Sequence, residues 1–261
     1  MKITLELSKT PEQNAALHYE KAKKAKRKLE GAEKALKESL KKLQEMLRKK
    51  GAEEEKAKTA AAKKAKRKDR KWYEKFRWFV SSEGFLVVGG RDATTNEIII
   101  KKHTEPDDIV FHTDIAGSPF FVIKAEGRKP GEATISEVST ATASFSRAWR
   151  MGLSVLDVFH VNPDQVSKTA KPGEYMGKGA FMIYGKTNYV TAELKLAIGT
   201  DSEGRVMCGP LAAIRKNCVK HLDIMQGREK SSDTAKKIKR IVGGELDDII
   251  AAMPSGGCRV K

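Results

Sequence analysis

The chain has 261 residues, of which 39% are hydrophobic and 33% charged, and its formal net charge is +17. This length suffices for one large or two smaller domains with a hydrophobic core. No apolar run reaches the roughly 18 residues of a transmembrane helix, and the first residues do not resemble a secretory signal. Three cysteines without Cys-x-x-Cys spacing predict reduced thiols in a cytoplasmic protein.

The positive charge is concentrated in the first third of the chain. Residues 1–80 hold 26 Lys and Arg against 12 Asp and Glu, whereas residues 81–261 hold 25 against 22. A field of this sign attracts polyanions without choosing among them. We therefore favour nucleic-acid contact by this segment over lysines that only aid solubility.

The first predicted element is a long helix. Thr10 is a candidate N-cap and Pro11 suits the first helical position. Hydrophobic residues at heptad spacing, strongest between residues 36 and 47, predict a coiled coil. Gly51 is expected to end this helix and lead into a second one that runs to about Val80, which gives an antiparallel hairpin. An uninterrupted helix through Gly51 is the alternative.

In such a hairpin two basic runs would lie at the same height and form one cationic surface. This surface is the predicted RNA-binding site of the helical arm. Its candidate phosphate contacts are Lys21, Lys23, Lys24, Lys26, Arg27, Lys28, Lys63, Lys64, Lys66, Arg67 and Lys68.

The rest of the chain alternates strand and helix patterns. Trp72, Phe76 and Phe79 share one face of the predicted second helix. Predicted strands are 85–89, 97–102, 109–113, 120–124, 153–161, 181–185, 191–198 and 219–225, and predicted helices are 133–150, 211–217, 233–242 and 245–253. Strands in a run with inserted helices favour an α+β fold with a mixed, mostly antiparallel sheet and flanking helices over a doubly wound parallel sheet.

Two short motifs carry polar residues at predicted strand ends. In the first, Gly89 and Gly90 would let the backbone approach a ligand near Arg91, Asp92 and Asn96, or these residues form a tight turn with a structural Arg–Asp pair. In the second, His112 and Asp114 could act as acid and base, hold a ribose hydroxyl, or form a structural pair. No third and fourth ligand accompany them, so we expect no metal.

Two further regions are candidates for RNA contact. Trp149, beside Arg147, is either a core residue or a platform on which a base stacks. The segment 162–181 is a long loop whose glycine amides, lysines and hydroxyls suit phosphate oxygens. Its candidate residues are Gln165, Ser167, Lys168, Thr169, Gly177, Lys178 and Gly179. We identify no catalytic constellation.

These motifs resemble those of one known family. The sequence WYEKFRWFVSSEGFLVVGGRDATTNEIIIKK, the His-x-Asp-x-x-Gly motif at His112 and the Gln-Val-Ser-Lys-Thr motif at Gln165 are similar to the NFACT-R domain of the NEMF/RqcH ribosome-quality-control family, archaeal type. The resemblance covers about residues 72–190, and the helical arm is similar to the coiled-coil region that precedes that domain. It implies an RNA-binding adaptor for the large ribosomal subunit or tRNA, alongside other quality-control factors. From the residues themselves we expect no catalysis, cofactor or metal.

The sequence thus predicts three parts: a basic coiled-coil arm (1–71), an NFACT-R-like RNA-binding domain (72–190) and a C-terminal α/β extension packed on it (191–261). Three other functions stay open. One is an RNA-processing or RNA-modifying enzyme that uses His112 and Asp114. Another is a coiled-coil module that docks a protein, and the third is an NFACT-R protein that binds DNA. We expect no membrane partner, and the oligomeric state, dimer included, is open.

Overall fold

A computed structural model describes residues 4–68, 70–169 and 177–261, with the backbone alone for residues 49–68. The chain divides into two compact units, Met1–Arg70 and Lys71–Lys261. The α+β class with antiparallel sheets is confirmed. In the described part of the chain, no helix is both long and apolar enough to cross a bilayer.

The first unit is dominated by one helix, α1, which spans Pro11–Lys68. The backbone amide of Gln13 donates to the Thr10 hydroxyl at 3.3 Å, so the predicted N-cap is present. The predicted hairpin is wrong, because α1 continues through Gly51. One glycine costs a helix only about 1 kcal/mol relative to alanine, and the Ala, Lys and Glu residues around it are strong helix formers. Each residue added to an existing helix also gains a hydrogen bond.

The continuous helix separates the two basic runs. At 1.5 Å per residue, Lys21 and Lys63 lie about 60 Å apart along α1. The runs therefore do not lie at one height, and the predicted single cationic surface is wrong in this respect.

The second unit begins with a short 3-10 helix, Trp72–Lys75, and strand β1, Arg77–Val80. The prediction that helix continues to Val80 is wrong. Successive residues of a strand point to opposite faces, and Phe76 and Phe79 enter two different hydrophobic cores. The backbone of β1 is satisfied by antiparallel pairing with β2, Leu86–Gly89.

The remaining elements follow in chain order. They are α2 (Ala93–Lys102), β3 (Ile109–His112), β4 (Phe121–Lys124), α3 (Glu132–Phe145), α4 (Arg147–Met151), β5 (Val155–Val161), β6 (Val166–Ser167), β7 (Met182–Ile183), β8 (Asn188–Glu193), β9 (Leu196–Thr200), β10 (Val206–Gly209), α5 (Leu211–Asn217), β11 (Lys220–Gln226), α6 (Ser231–Val242), α7 (Leu246–Ala252) and β12 (Cys258–Val260).

Three further predicted elements differ in the structure: one is of another type, and two are each divided in two. Residues 97–102 belong to helix α2 and not to a strand, because Asp92 caps the helix and Ile99 enters the core from it. The predicted helix 133–150 breaks at Ser146, whose hydroxyl caps α4 by accepting from the Ala148 amide at 3.1 Å. The predicted strand 191–198 is split between β8 and β9, which belong to different sheets.

The main sheet has six antiparallel strands in the order β1-β2-β4-β3-β5-β8. Its first face forms the larger core with α3 and the second sheet, which has the order β10-β9-β11-β12. Its second face forms a smaller core with α2 and the β6–β7 pair. β8 is an edge strand, so one side of the main sheet ends there.

The C-terminal part of the chain is joined to β1 through a buried arginine. Arg77 is 7% exposed, and its guanidinium donates to the Met253 carbonyl at 3.0 Å and lies 4.5 Å from the Phe145 ring centroid. Burial away from water lowers the pKa of Arg77 to about 10. Residues beyond 191 thus supply both core side chains and a hydrogen-bond acceptor to the strands before them.

Candidate nucleic-acid interface

The described basic run of α1 is fully accessible. Each of its six side chains is exposed, namely Lys21, Lys23, Lys24, Lys26, Arg27 and Lys28. Successive helical residues are rotated by about 100°, so this run presents positive charge around most of the helix. The side chains of Lys63, Lys64, Lys66, Arg67 and Lys68 lie outside the described residues.

The Gly90–Asn96 motif mainly builds the N-terminus of α2. Asn96 is 7% exposed, and its side-chain oxygen accepts from the Phe120 amide at 3.2 Å. A Cβ on residue 90 would lie 1.8 Å from that oxygen, which explains Gly90. The Asp92 carboxylate accepts from the Thr95 amide at 2.8 Å, and this bond lowers its pKa. The exposed Arg91 donates to the Phe76 carbonyl at 2.9 Å.

Lys168 holds the long loop together. Its ammonium donates to the carbonyls of Gly177 and Ala180, each at 2.9 Å, and pairs with the Glu97 carboxylate at 2.8 Å. An ammonium has three protons, so these three acceptors use all of them. The hydrogen bond from Lys168 is the main reason that the pKa of Glu97 falls to about 2. In this conformation the Lys168 ammonium is used inside the loop, and its contact with phosphate stays a prediction.

The other polar residues of the loop are used in a similar way. Gln165 donates to the carbonyls of Tyr184 and Lys186 at 2.7 and 2.9 Å and accepts from the Asn162 amide at 3.0 Å. The Gly179 amide, predicted to bind phosphate, donates to Glu97 at 3.1 Å. The Ser167 hydroxyl accepts from the Thr169 amide at 3.0 Å, and Thr169 accepts from the Tyr184 phenol at 3.3 Å. Gly177 accepts from Lys168, while Lys178 is exposed.

His112 lies at the centre of an aromatic row. On neighbouring strands β3, β5 and β8 the paired positions are His112, Phe159 and Tyr189. The ring centroids of His112 and Phe159 are 6.0 Å apart, those of Phe159 and Tyr189 are 5.7 Å apart, and Phe120 lies 4.0 Å from His112. Desolvation lowers the pKa of His112, and its Nδ1 lies 2.5 Å from the Thr113 carbonyl oxygen and 2.7 Å from the Thr113 amide nitrogen.

Asp114 follows the end of β3 and is exposed. Its Oδ2 accepts from the phenol of Tyr189 at 3.2 Å. His112 and Asp114 therefore lie in one region of the second sheet face, as the sequence predicted, but Asp114 is tied to a tyrosine that the sequence analysis did not select.

Trp149 is not a stacking platform. It is 2% exposed, belongs to the larger core and donates from its indole to the Gly257 carbonyl at 3.2 Å. Trp149 is therefore a core residue, which was the alternative that the sequence analysis left open. Arg147, two residues earlier, is exposed.

The structure thus brings most of the predicted residues into one region of the second sheet face, where many of them form hydrogen bonds within the chain. The sequence analysis missed Glu97, on which Lys168 and Gly179 converge, and Tyr189, which is 56% exposed. Alternation along residues 188–193, with small or β-branched Val190 and Ala192 between polar neighbours, was the available signal for an edge strand carrying Tyr189 outward.

Comparison with known proteins places these residues in a family. Residues 75–185 match the model described as "NFACT protein RNA binding domain". The archaeal Rqc2 homolog aRqcH of Methanocaldococcus jannaschii is 43% identical over 205 residues, which cover 76% of this chain and 30% of that protein. The ribosome quality control complex subunit NEMF of Mus musculus is 40% identical over 184 residues, covering 68% of this chain and 16% of NEMF.

Among solved structures, the C-terminal part of a fibronectin/fibrinogen-binding protein from Streptococcus suis matches with 17% identity and a TM-score of 0.39, over 45% of each chain. The chain spans less than a third of the two curated relatives named above. The match over residues 75–185 includes five of the six strands of the main sheet, all except β8, together with α2 and the loop that Lys168 holds. Residues 75–185 of the chain therefore match the NFACT RNA-binding domain family.

Proposed function

We propose that this chain acts as an RNA-binding adaptor in the quality control of stalled translation, and that it binds the large ribosomal subunit, tRNA or both. Its relative NEMF is named a ribosome quality control complex subunit, its archaeal relative is named an Rqc2 homolog, and its residues 75–185 match an RNA-binding domain. Because the chain spans only part of those relatives, the ribosome and tRNA as partners belong to the proposal.

The observation that carries the proposal is the exposed basic run of α1. Six cationic side chains occur within eight residues, and all six are exposed. Each phosphate that such a side chain neutralises releases counterions, so affinity depends steeply on salt. This contact supplies attraction to RNA without sequence preference, and contacts of the NFACT domain would add selectivity.

We further propose that the chain makes no covalent change in RNA. His112 is the candidate base of the enzymatic alternative, and its Nδ1 is in contact with the backbone of Thr113. Asp114, the candidate partner, accepts from Tyr189. Incubation of labelled RNA with the protein and with His112→Ala tests this: products that form only with the unmodified protein would contradict the proposal.

Filter binding at increasing salt tests the main proposal. The probes are large ribosomal subunits, tRNA and duplex DNA. In the variant Lys21→Glu/Lys24→Glu/Lys28→Glu, the slope of log affinity against log salt should shrink by about 2 to 3, because each lost phosphate contact removes about 0.7 to 0.9. Lys34→Glu/Lys37→Glu/Lys41→Glu is the matched control, since it makes the same change of net charge on the same helix.

The control variant should retain most of the slope. An equal loss in both variants would mean that only total charge matters and would contradict a local site. Binding that survives high salt would favour the alternative in which the helix docks a protein. Tight binding to duplex DNA with none to either RNA particle would favour the DNA-binding alternative.

A further inference from the structure

The second face of the main sheet is covered at one end and open at the other. α2 and the β6–β7 pair pack over it beside β2, β4 and β3. Toward the β8 edge, alternate residues of β5 and β8 point to this same face, and Val155, Asp157, Tyr189 and Thr191 are exposed there. Among the described residues, the open part of the face therefore extends from Tyr189 along both strands.

Tyr189 gives this open face a rigid aromatic surface. Tyr189 is 56% exposed, and its ring makes an edge-to-face contact with Phe159, the paired residue on β5, which is 6% exposed. The phenol is fixed by its bond to Asp114. A ring held in place on a sheet is the feature on which single-stranded RNA-binding sheets stack unpaired bases, at a cost of about 1–3 kcal/mol per base when the ring is removed.

The charges on this face limit which part of an RNA can approach it. Asp114 and Asp157 are exposed carboxylates, and both would repel a phosphate. Asp157 accepts from the Thr191 hydroxyl at 2.6 Å, and Asp114 accepts one bond from Tyr189. A carboxylate has about four acceptor positions, so Asp114 retains capacity for another donor. The N–H groups at the edge of a base are such donors.

We propose that Tyr189 and Asp114 form a site for one unpaired nucleobase that carries an exocyclic amino group, with the base stacked on Tyr189 and its amino group donating to Asp114. This inference rests on the proposed RNA-binding function and adds a base preference to it. Cytosine, adenine and guanine have the amino group. Uracil has none, and its ring N3–H lies between two carbonyl oxygens that a carboxylate repels. Tyr189 lies just beyond the residues that match the family model.

Cytosine and uracil are the most informative pair of probes, because they are pyrimidines of nearly equal size and only cytosine has the exocyclic amino group. The full chain is titrated into fluorescent nonamers of cytidine or uridine at one fixed salt concentration, and anisotropy gives both affinities. Since a hydrogen bond to a charged group contributes about 1.5–3 kcal/mol, the cytidine nonamer should bind about tenfold or more tightly.

Three variants separate stacking from base selection. Tyr189→Ala should weaken cytidine binding about 5- to 150-fold. Tyr189→Phe keeps the ring and should retain binding within about twofold. Asp114→Asn should bring the two nonamers to within about threefold of each other while uridine binding persists. Tyr184→Ala, at a second tyrosine that is 39% exposed, is the control and should leave the preference intact.

Equal affinity for the two nonamers, or a Tyr189→Ala variant that binds as tightly as the unmodified protein, would overturn the inference. If the salt-dependent loss caused by reversal of Lys21, Lys24 and Lys28 persisted in that case, the proposed function would stand. If the protein bound neither nonamer, nor ribosomal subunits, nor tRNA, both the base site and the proposed RNA-binding function would be contradicted. Loss of ribosome binding in Tyr189→Ala without any oligonucleotide effect would assign this face to a protein contact and overturn the base site.

Discussion

Two regions of the second sheet face, the loop held by Lys168 and the edge at Tyr189, use polar and aromatic residues in opposite ways. In the loop, Lys168, Gln165 and Gly179 bond to carbonyls, amides and one carboxylate of the same chain. At the edge, Tyr189 and Asp114 bond to each other and remain exposed. Polar residues whose hydrogen-bonding groups are all used within the chain thus stabilise the fold. Residues that keep free hydrogen-bonding capacity and are exposed are the candidate RNA contacts.

The largest expected effect is at Trp149, a third predicted RNA contact, which the structure buries in the larger core. Because its indole lies within the larger core, Trp149→Ala should cost about 3–5 kcal/mol of unfolding free energy. Urea unfolding checks this value. Trp72→Ala is the control, since Trp72 is 41% exposed and should cost clearly less. A Trp149→Ala protein of unchanged stability but weaker RNA binding would restore the stacking role.

Lys168 gives a smaller and more selective test. Lys168→Met keeps the alkyl chain near Phe181 but removes the ammonium from its three acceptors, and should cost about 1–2 kcal/mol of unfolding free energy. Lys178→Met, at an exposed lysine of the same loop, should change stability by less than about 0.5 kcal/mol.

RNA affinity of the folded variants completes this test. For Lys168→Met the salt slope should be unchanged, because its charge is used inside the loop. A slope smaller by about 0.7 to 0.9 would mean that Lys168 releases its internal partners and contacts a phosphate.

The smallest expected effect is a pH dependence carried by Glu97. Its folded pKa is lowered from 4.5 to about 2, chiefly by Lys168 and then by the Gly179 amide. A depressed pKa stabilises the fold above the unfolded pKa, and this contribution is lost as pH falls from about 4.5 to about 2. The difference in stability between the unmodified protein and Glu97→Gln should therefore shrink over that range. A difference that stays constant would contradict the role of the Glu97 charge.

The sequence predicted the fold class and many elements because their signals are local. Thr10 and Pro11 start a helix, and the hydrophobic runs at 109–113 and 219–225 form strands. It failed where two local signals competed. The isoleucines at 98–100 predict a strand, but Asp92 caps a helix there, and Gly51 does not end α1 because strong helix formers flank it.

The candidate site was predicted by residue type but not by role. Sequence alone places Lys168 in a loop rich in glycine and lysine, and such loops suit phosphate. It contains no information that Glu97, far away along the chain, presents a carboxylate to that lysine. Tyr189 was missed for the converse reason: the exposure of one tyrosine depends on which sheet edge is left without a neighbour.

The hydrogen bond from Arg77 to the Met253 carbonyl requires that any shortened form of this protein keep both residues. The family match ends at residue 185, yet a fragment cut there would retain a cation inside the fold and lose the carbonyl that solvates it, together with the hydrophobic residues of the second sheet. Expression of residues 71–261 keeps the guanidinium and its acceptor in one molecule. Boundaries for recombinant work should therefore follow this contact and not the extent of sequence similarity.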